Sequence, residues 1–377
     1  MRFAPIDNLL YLYLRFLKAV DRRKTGMEWF APGEVKNILV VSSTAIGDTL
    51  LSTPAIRAVR RRYPSARIVA LFNADNAALF DNSPYLDRVV LYHGGYKRFF
   101  ATIRELKPFN FDLALILHGN EPQATPICYL AGARFIMKLP NNSAYNFLLA
   151  NNAPVVAWDG LGHGIQARLA TTALAGCDTT DVRMELFVNA DSTTGVEAFL
   201  AKEGVGEKDL LIGFQPGAST ISRQWFPDRF IELGKRLVDV YPSARLIITG
   251  SPNEAALCEG IAAGIGERAI SIAGRLSLVE LAPLIRRLQC LVTGDTGPMH
   301  IAITAGTPVV ALYAVADYRR TGPLYDKGRH VVIQKPRTCD PCSSKKCKYQ
   351  RCMEAITVDE VQAAVKTVLA HKGGSGA

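Results

Sequence analysis

The pentapeptide Tyr-Pro-Ser-Ala-Arg stands at 63–67 and again at 241–245. Each copy follows a basic, apolar-striped stretch and leads into a β-branched run, Ile-Val-Ala-Leu-Phe in the first case and Leu-Ile-Ile-Thr-Gly in the second. Upstream of each copy lies another continuous apolar run, Asn-Ile-Leu-Val-Val-Ser at 37–42 and Leu-Leu-Ile-Gly-Phe-Gln at 210–215. Runs without polar alternation suit parallel strands covered on both faces. In each copy Tyr-Pro ends a helix, because the residue before proline avoids the α region and proline has no N–H to continue the ladder. The chain therefore spells one βαβ unit twice, and 377 residues are enough for two cores.

The rest of the pattern extends both halves. Asp-Leu-Ala-Leu-Ile-Leu (112–117), Cys-Leu-Val-Thr-Gly (290–294) and Val-Val-Ala-Leu-Tyr (309–313) read as further buried strands. A helix is expected from about 49 to 62, another over 227–240, and a third over 298–306 that begins with proline and ends with glycine. Thr357 and Glu360 have capping-box spacing for a last helix to about 371. The expected organisation is an N-terminal basic amphipathic extension (1–36), a first α/β domain (37–187), a polar linker (188–208), a second α/β domain (209–356) and a C-terminal helix (357–371).

A net charge of +10 favours acidic partners: phosphorylated small molecules, anionic membrane or nucleic acid. The apolar run at 9–20 carries Arg15 and Lys18 and has no basic region before it, so it reads neither as a secretory signal nor as a membrane span. On a helix Arg15, Lys18 and Arg22 share a face. That pattern fits a helix lying on anionic lipid and, equally, a helix packed on its own domain. Without an export signal the expectation is a cytoplasmic enzyme with reduced thiols, peripheral on the inner face of the membrane if the helix binds lipid.

In open α/β sheets ligands bind beyond the carboxyl ends of the strands, so the turns there carry the chemistry. Three stand out. In Ser-Ser-Thr-Ala-Ile-Gly-Asp-Thr (42–49), Asp48 is either a helix N-cap or a functional carboxylate. In Pro-Gly-Ala-Ser-Thr-Ile-Ser-Arg (216–223), Ser219, Thr220 and Arg223 suit a phosphate, as they also suit an exposed loop. In Gly-Asp-Thr-Gly-Pro-Met-His (294–300), Thr296 and Gly297 open a helix whose first N–H groups suit an anion. His300 in its first turn reads as a ligand contact over a core histidine. Gly-Ile-Gly-Glu-Arg-Ala (264–269) has dinucleotide-fingerprint spacing but precedes its strand, so it fails the required context. No Asp-x-Asp pair of the kind that holds a metal-bound diphosphate occurs in the chain.

Together these turns resemble glycosyltransferase family 9, the ADP-heptose:lipopolysaccharide heptosyltransferases. The resemblance rests on Ile-Gly-Asp-x-Leu-Leu-x-Thr-Pro-Ala-Ile-Arg-Ala (46–58), Pro-Gly-Ala-Ser…Arg-x-Trp (216–225) and Asp-Thr-Gly-Pro-Met-His (295–300). It implies a GT-B fold, two Rossmann-like doubly wound parallel-sheet domains facing a central cleft, with acceptor on the first domain and nucleotide sugar on the second. It implies an inverting, metal-independent single displacement of heptose from ADP-heptose to a lipid-linked lipopolysaccharide core. Asp48 matches the general base, and Ser219, Thr220, Arg223, Glu254, Asp295, Thr296, Gly297 and His300 fall at donor-binding positions. Arg223 stands where the family commonly has lysine. A protein acceptor or another nucleotide sugar are the alternatives within the family.

The spacing Cys339-x2-Cys342-x4-Cys347-x4-Cys352 is that of a structural zinc or iron knuckle, with free thiols as the other reading. Cys128, Cys177, Cys258 and Cys290 read as core filler. A nucleic-acid-binding role for the basic cysteine segment is a distant alternative: only Tyr349 offers an aromatic platform within it, so no nucleic-acid partner is expected.

Overall fold

The computed structural model describes residues 5–339, 342 and 347–373. The chain divides into two compact units, Met1–Met184 and Glu185–Ala377. In the first unit the strands are β1 (Asn37–Ser42), β2 (Arg67–Asn73), β3 (Arg88–Tyr92), β4 (Leu113–His118) and β5 (Phe135–Lys138). Its helices are α1 (Pro5–Val20), α2 (Ile46–Leu50), α3 (Thr53–Arg62), α4 (Phe99–Leu106), α5 (Ala124–Leu130) and α6 (Gly164–Ala173). The second unit holds β6 (Leu210–Gln215), β7 (Ala244–Ile248), β8 (Ala269–Ser271), β9 (Cys290–Gly294), β10 (Val309–Tyr313) and β11 (Val331–Gln334). Its helices are α7 (Ala190–Lys202), α8 (Pro227–Val240), α9 (Ala255–Ile265), α10 (Leu278–Arg287), α11 (Gly297–Ala305), α12 (Tyr318–Thr321), α13 (Arg351–Glu354) and α14 (Val358–Gly373).

Both sheets are wholly parallel. Their strand orders are β3-β2-β1-β4-β5 and β11-β10-β9-β6-β7-β8. Each sheet starts at an interior strand, winds outward on one side, then returns to wind outward on the other. The reversal falls between β1 and β4 in the first unit and between β6 and β9 in the second, where turns leave adjacent strands in opposite directions and a crevice opens. β1, β6, β9 and β10 are buried almost throughout, which accounts for their uninterrupted apolar sequence.

The two Tyr-Pro-Ser-Ala-Arg joints have one geometry. Tyr63 and Tyr241 cap α3 and α8, each N–H reaching back four residues, to Val59 and Leu237. Ala66, just before β2, and Ala244, the first residue of β7, then donate to the carbonyls of Tyr63 and Tyr241.

Three expectations change. The helix expected from about 49 is two, α2 and α3, broken at Leu51-Ser52. Pro54 brings no N–H and its ring opposes the carbonyl of Leu50, which takes a 2.8 Å bond from Thr53 Oγ1 instead. The stretch 188–208 is no open linker, since α7 fills most of it, buries Val196 and Leu200, and packs on α10. The final helix is part of the second unit: Val361, Val365 and Val368 of α14 pack in the core with β6, β7, β9 and β10. Its capping box forms as read, with Thr357 N–H on Glu360 at 3.0 Å and Glu360 N–H on Thr357 Oγ1 at 3.2 Å.

The edge of the second sheet carries a titrating lock. His330 Nδ1 accepts from the Val309 N–H at 3.2 Å. Burial, with Arg329 beside it and only partly opposed by Asp326, pulls its pKa down to about 4. The unfolded chain binds this proton near 6.5, so the contribution is complete above that pH and is lost as pH falls through about 4. Stability measured by urea unfolding is therefore expected to drop between those values, and His330→Asn, which keeps an acceptor that does not titrate, to flatten that part of the profile.

Candidate active site

At the reversal point of the first unit, Asp48 lies in the first turn of α2. The N-cap is Ala45, and no side chain caps that helix. The capping reading of Asp48 is therefore replaced by a different set of contacts. Oδ1 accepts from Arg168 Nη2 at 3.0 Å and Oδ2 accepts from Thr44 Oγ1 at 2.9 Å. His118, at the end of β4, brings Nε2 to 3.5 Å from Oδ1 and Nδ1 to 2.7 Å from Thr44 Oγ1. Thr44 has a single hydroxyl proton. With that proton on Asp48, the His118 contact is made by Nδ1–H donating to Thr44. The Asp48 side chain keeps 28% exposure, so the carboxylate is oriented yet reachable.

Arg168 was not visible in the sequence as a site residue. It comes from α6, its side chain is 2% exposed, and it also donates to Ser52 Oγ at 2.9 Å and to the Gly164 carbonyl at 2.8 Å. Burial pulls its pKa down and the Asp48 charge opposes that shift. A buried guanidinium is tolerated only when paired and hydrogen-bonded, and here Asp48 supplies the charge. His118 closes β4 at the start of the stretch His-Gly-Asn-Glu-Pro-Gln, and its place beside Asp48 needed the register of β4 on β1.

At the reversal point of the second unit, Arg223 and Asp295 pair. Arg223 Nη1 lies 3.3 Å from Asp295 Oδ2 and 3.4 Å from the Asp295 carbonyl. Asp295 Oδ1 accepts from Thr321 Oγ1 at 3.1 Å and Tyr313 OH at 3.3 Å. Asp295 is thus buried and fixes the turn, while Arg223 keeps 31% side-chain exposure. Thr296 is the N-cap of α11, but its hydroxyl pairs with Thr293 at 2.9 Å and does not cap the helix. Gly297 follows as the first helical residue. His300, in the first turn of α11, is buried at 4% exposure. Ser219 is exposed and Thr220 half-buried, its hydroxyl accepting from Ser222 at 3.3 Å.

Two glycines set how closely these turns approach. A Cβ on Gly294 would stand 2.5 Å from the Arg223 carbonyl oxygen, and one on Gly217 would stand 1.9 Å from Glu254 Oε1. The β6 turn is therefore pressed against the β7 turn on one side and the β9 turn on the other. Glu254 itself takes bonds from Ser251 N–H at 2.7 Å and Ser251 Oγ at 3.0 Å, a capping box at the start of α9. Behind the same loop Trp225 is buried and donates to the Ile356 carbonyl at 3.0 Å.

Among the described residues no three His, Cys, Asp or Glu side chains come together to hold an ion. Cys352 is buried and accepts from the Thr338 N–H at 3.4 Å, whereas Cys347 contacts the Tyr349 carbonyl at 3.4 Å. Residues 340, 341 and 343–346, the centre of that motif, lie outside the described residues. Cys128, Cys177, Cys258 and Cys290 are buried, as core filler should be.

Two wholly parallel α/β units, each carrying polar groups at its own sheet reversal, make the fold that of the GT-B glycosyltransferases. The model for glycosyltransferase family 9 (heptosyltransferase) matches residues 99–353. That is more than half of the chain, and the chain belongs to this family of enzymes. It is 23% identical over 345 residues to the lipopolysaccharide core heptosyltransferase OpsX of Haemophilus influenzae, covering 88% of this chain and 96% of that one. The E. coli ADP-heptose lipopolysaccharide heptosyltransferase II structure matches with a TM-score of 0.74 at 22% identity, over 90% of this chain and all of that one. A family 9 glycosyltransferase of Veillonella parvula matches equally at 21% identity, over 89% and 97%.

Replacing Arg168 by Met is expected to cost about 3 kcal/mol in urea unfolding, because it strands Asp48 beside a dry wall. Gly294→Ala meets backbone and must move the Arg223 loop, whereas Gly217→Ala meets the end of a flexible glutamate. The first variant is therefore expected to lose about 2 kcal/mol in urea unfolding and the second much less.

Proposed function

We propose that this chain moves a heptose from ADP-heptose to a lipid-linked lipopolysaccharide core acceptor, with inversion at the anomeric carbon, in the cytoplasm. The reading is carried by one observation: in a member of this family, the carboxylate of Asp48 is held by Arg168 and Thr44 at the first unit's sheet reversal and remains partly exposed. A carboxylate so oriented is suited to take the proton from an acceptor hydroxyl as that oxygen attacks.

The second unit carries the groups for the leaving diphosphate. Arg223 engages Asp295 through Nη1, leaving the rest of its five-donor fork to meet phosphate oxygens. The Asp295 carboxylate offsets part of that charge but also prevents the guanidinium from swinging away. The uncapped first turn of α11 adds N–H groups and the positive end of a helix. Ser219 and Thr220 supply hydroxyls, and Glu254 is assigned to the nucleoside by the family resemblance. Positive potential fixed beforehand lowers the cost of charge developing on the departing ADP, so the displacement needs no bound metal to supply it. His300, in the first turn of α11, is assigned to the same donor-binding turn.

The deciding experiment follows ADP release by the full chain with ADP-heptose and a lipopolysaccharide core acceptor, with ADP-glucose and UDP-sugars as competing donors and a protein acceptor as a further arm. Turnover is expected only with ADP-heptose and the core acceptor. Asp48→Asn is expected to lower kcat by about a hundredfold or more with donor affinity within about twofold. Arg223→Ala is expected instead to weaken donor binding by at least about tenfold. Full turnover in Asp48→Asn would remove the assigned base, and preference for another donor or a protein acceptor would remove the assigned substrates.

A further inference from the structure

The N-terminal helix resolves into two apolar faces. Leu14 is fully buried, and Leu10, Tyr11 and Leu17 pack beside it on the core of the first unit. The outward side of the helix carries Ile6, Leu9, Leu12, Tyr13, Phe16 and Val20, each between 52% and 69% exposed. Positions 6, 9, 13, 16 and 20 follow a spacing of three and four, so they form one continuous stripe along α1. Fifteen large apolar side chains are exposed among the described residues, and six of them are on this one helix. Scattered exposed apolar residues need no explanation, but a stripe of this length does.

α1 is not a loose arm. Near its start Asp7 accepts from Tyr96 OH. Just past its end Asp21 accepts from Tyr129 OH at 2.9 Å and pairs with Arg23, which also donates to the Gly132 carbonyl at 3.1 Å. Burial pushes the Asp21 carboxyl up, but the hydrogen bonds from Arg23 and Tyr129 outweigh it and bring its pKa to about 2. The helix is therefore held at both ends with its outer stripe presented outward. The Tyr96 bond also sets Lys97, Arg98 and Phe100, all exposed, next to the start of α1, with Phe100 at 79% exposure.

The rim of this face is basic. Arg15 stands on one flank of α1 with its guanidinium 4.9 Å over the Phe147 ring, Arg22 is exposed just past the helix, Lys97 and Arg98 stand at one end, and Lys24 lies 3.8 Å over the exposed Trp29 ring at the other. The acids of the helix and of the turn after it, Asp7 and Asp21, are turned inward to tyrosines. Two copies of this face brought together would oppose like charges. An anionic surface would match the rim while taking up the stripe. α1 spans 16 residues, and no described helix is long and apolar enough to cross a membrane. Tyrosine and tryptophan beside basic residues suit the headgroup level.

We infer that the outer face of α1, together with Phe100 and its basic rim, is a docking surface for an anionic lipid bilayer, on which the helix lies in the plane of the headgroups. The surface is independent of the sugar-transfer chemistry, and its test reads binding alone.

The full chain is sedimented with vesicles of phosphatidylglycerol and phosphatidylcholine, and with phosphatidylcholine alone. Binding to the mixed vesicles is expected, at least about tenfold weaker on the neutral ones and weakened by salt. The double variant Leu9→Asp, Phe16→Asp is expected to lose at least about tenfold in binding, with its unfolding curve unchanged because both side chains already face water. Arg15→Glu with Lys97→Glu is expected to lose the preference for anionic lipid. Equal binding by the apolar double variant, or equal binding to neutral vesicles, overturns the inference. So does a wild-type dimer in sedimentation velocity that Leu9→Asp, Phe16→Asp converts to monomer, since the stripe would then be an interface between copies.

Discussion

A parallel sheet must send every connection over a face and back to the same end, and where the winding changes direction two neighbouring turns part company. The rest of this protein is arranged around that constraint, met once in each unit. Between β1 and β4 it leaves room for Asp48 and His118. Between β6 and β9 it leaves room for Arg223 and Asp295. Charge gathers at these reversals, and the first unit pairs two further buried cations, Arg57 with Asp181 and Lys138 with Glu121.

Holding charge in such a place requires partners from outside the turn. In the first unit the partner is Arg168, which is almost wholly buried and would be costly without Asp48, Ser52 and the Gly164 carbonyl around it. The pair therefore couples stability to the orientation of the carboxylate. In the second unit the approach of the turns is set by what is missing. Glycine at 294 lets the Arg223 backbone pass within a distance no Cβ permits, and the guanidinium then reaches Asp295. Asp295 is in turn held by Tyr313 and Thr321, so the charged pair is braced from β10 and α12.

The N-terminal helix shows how one sequence pattern can satisfy two readings. An amphipathic helix normally has one apolar face, and its basic residues leave open whether that face meets lipid or protein. Here the apolar residues divide, Leu10, Leu14 and Leu17 turning inward and Leu9, Tyr13 and Phe16 outward. The hydropathy pattern showed many apolar residues around the helix without showing which were already covered.

Much was legible before any coordinates. Strands β1, β6, β9 and β10 and helix α8 fall where the apolar runs and the Pro and Tyr-Pro boundaries put them, because burial on both faces and the steric demands of proline are local in origin. The turns bearing Asp48, Arg223 and Asp295 were found for the same reason, since they follow recognisable strands. Arg168, the division of α1 into two faces, the helix within 188–208 and the burial of His300 were not. An arginine among small residues on a helix has the same spelling whether it meets water or a carboxylate 120 positions away. Only the tertiary structure decides that, because burial and partnership are properties of what the rest of the chain brings alongside.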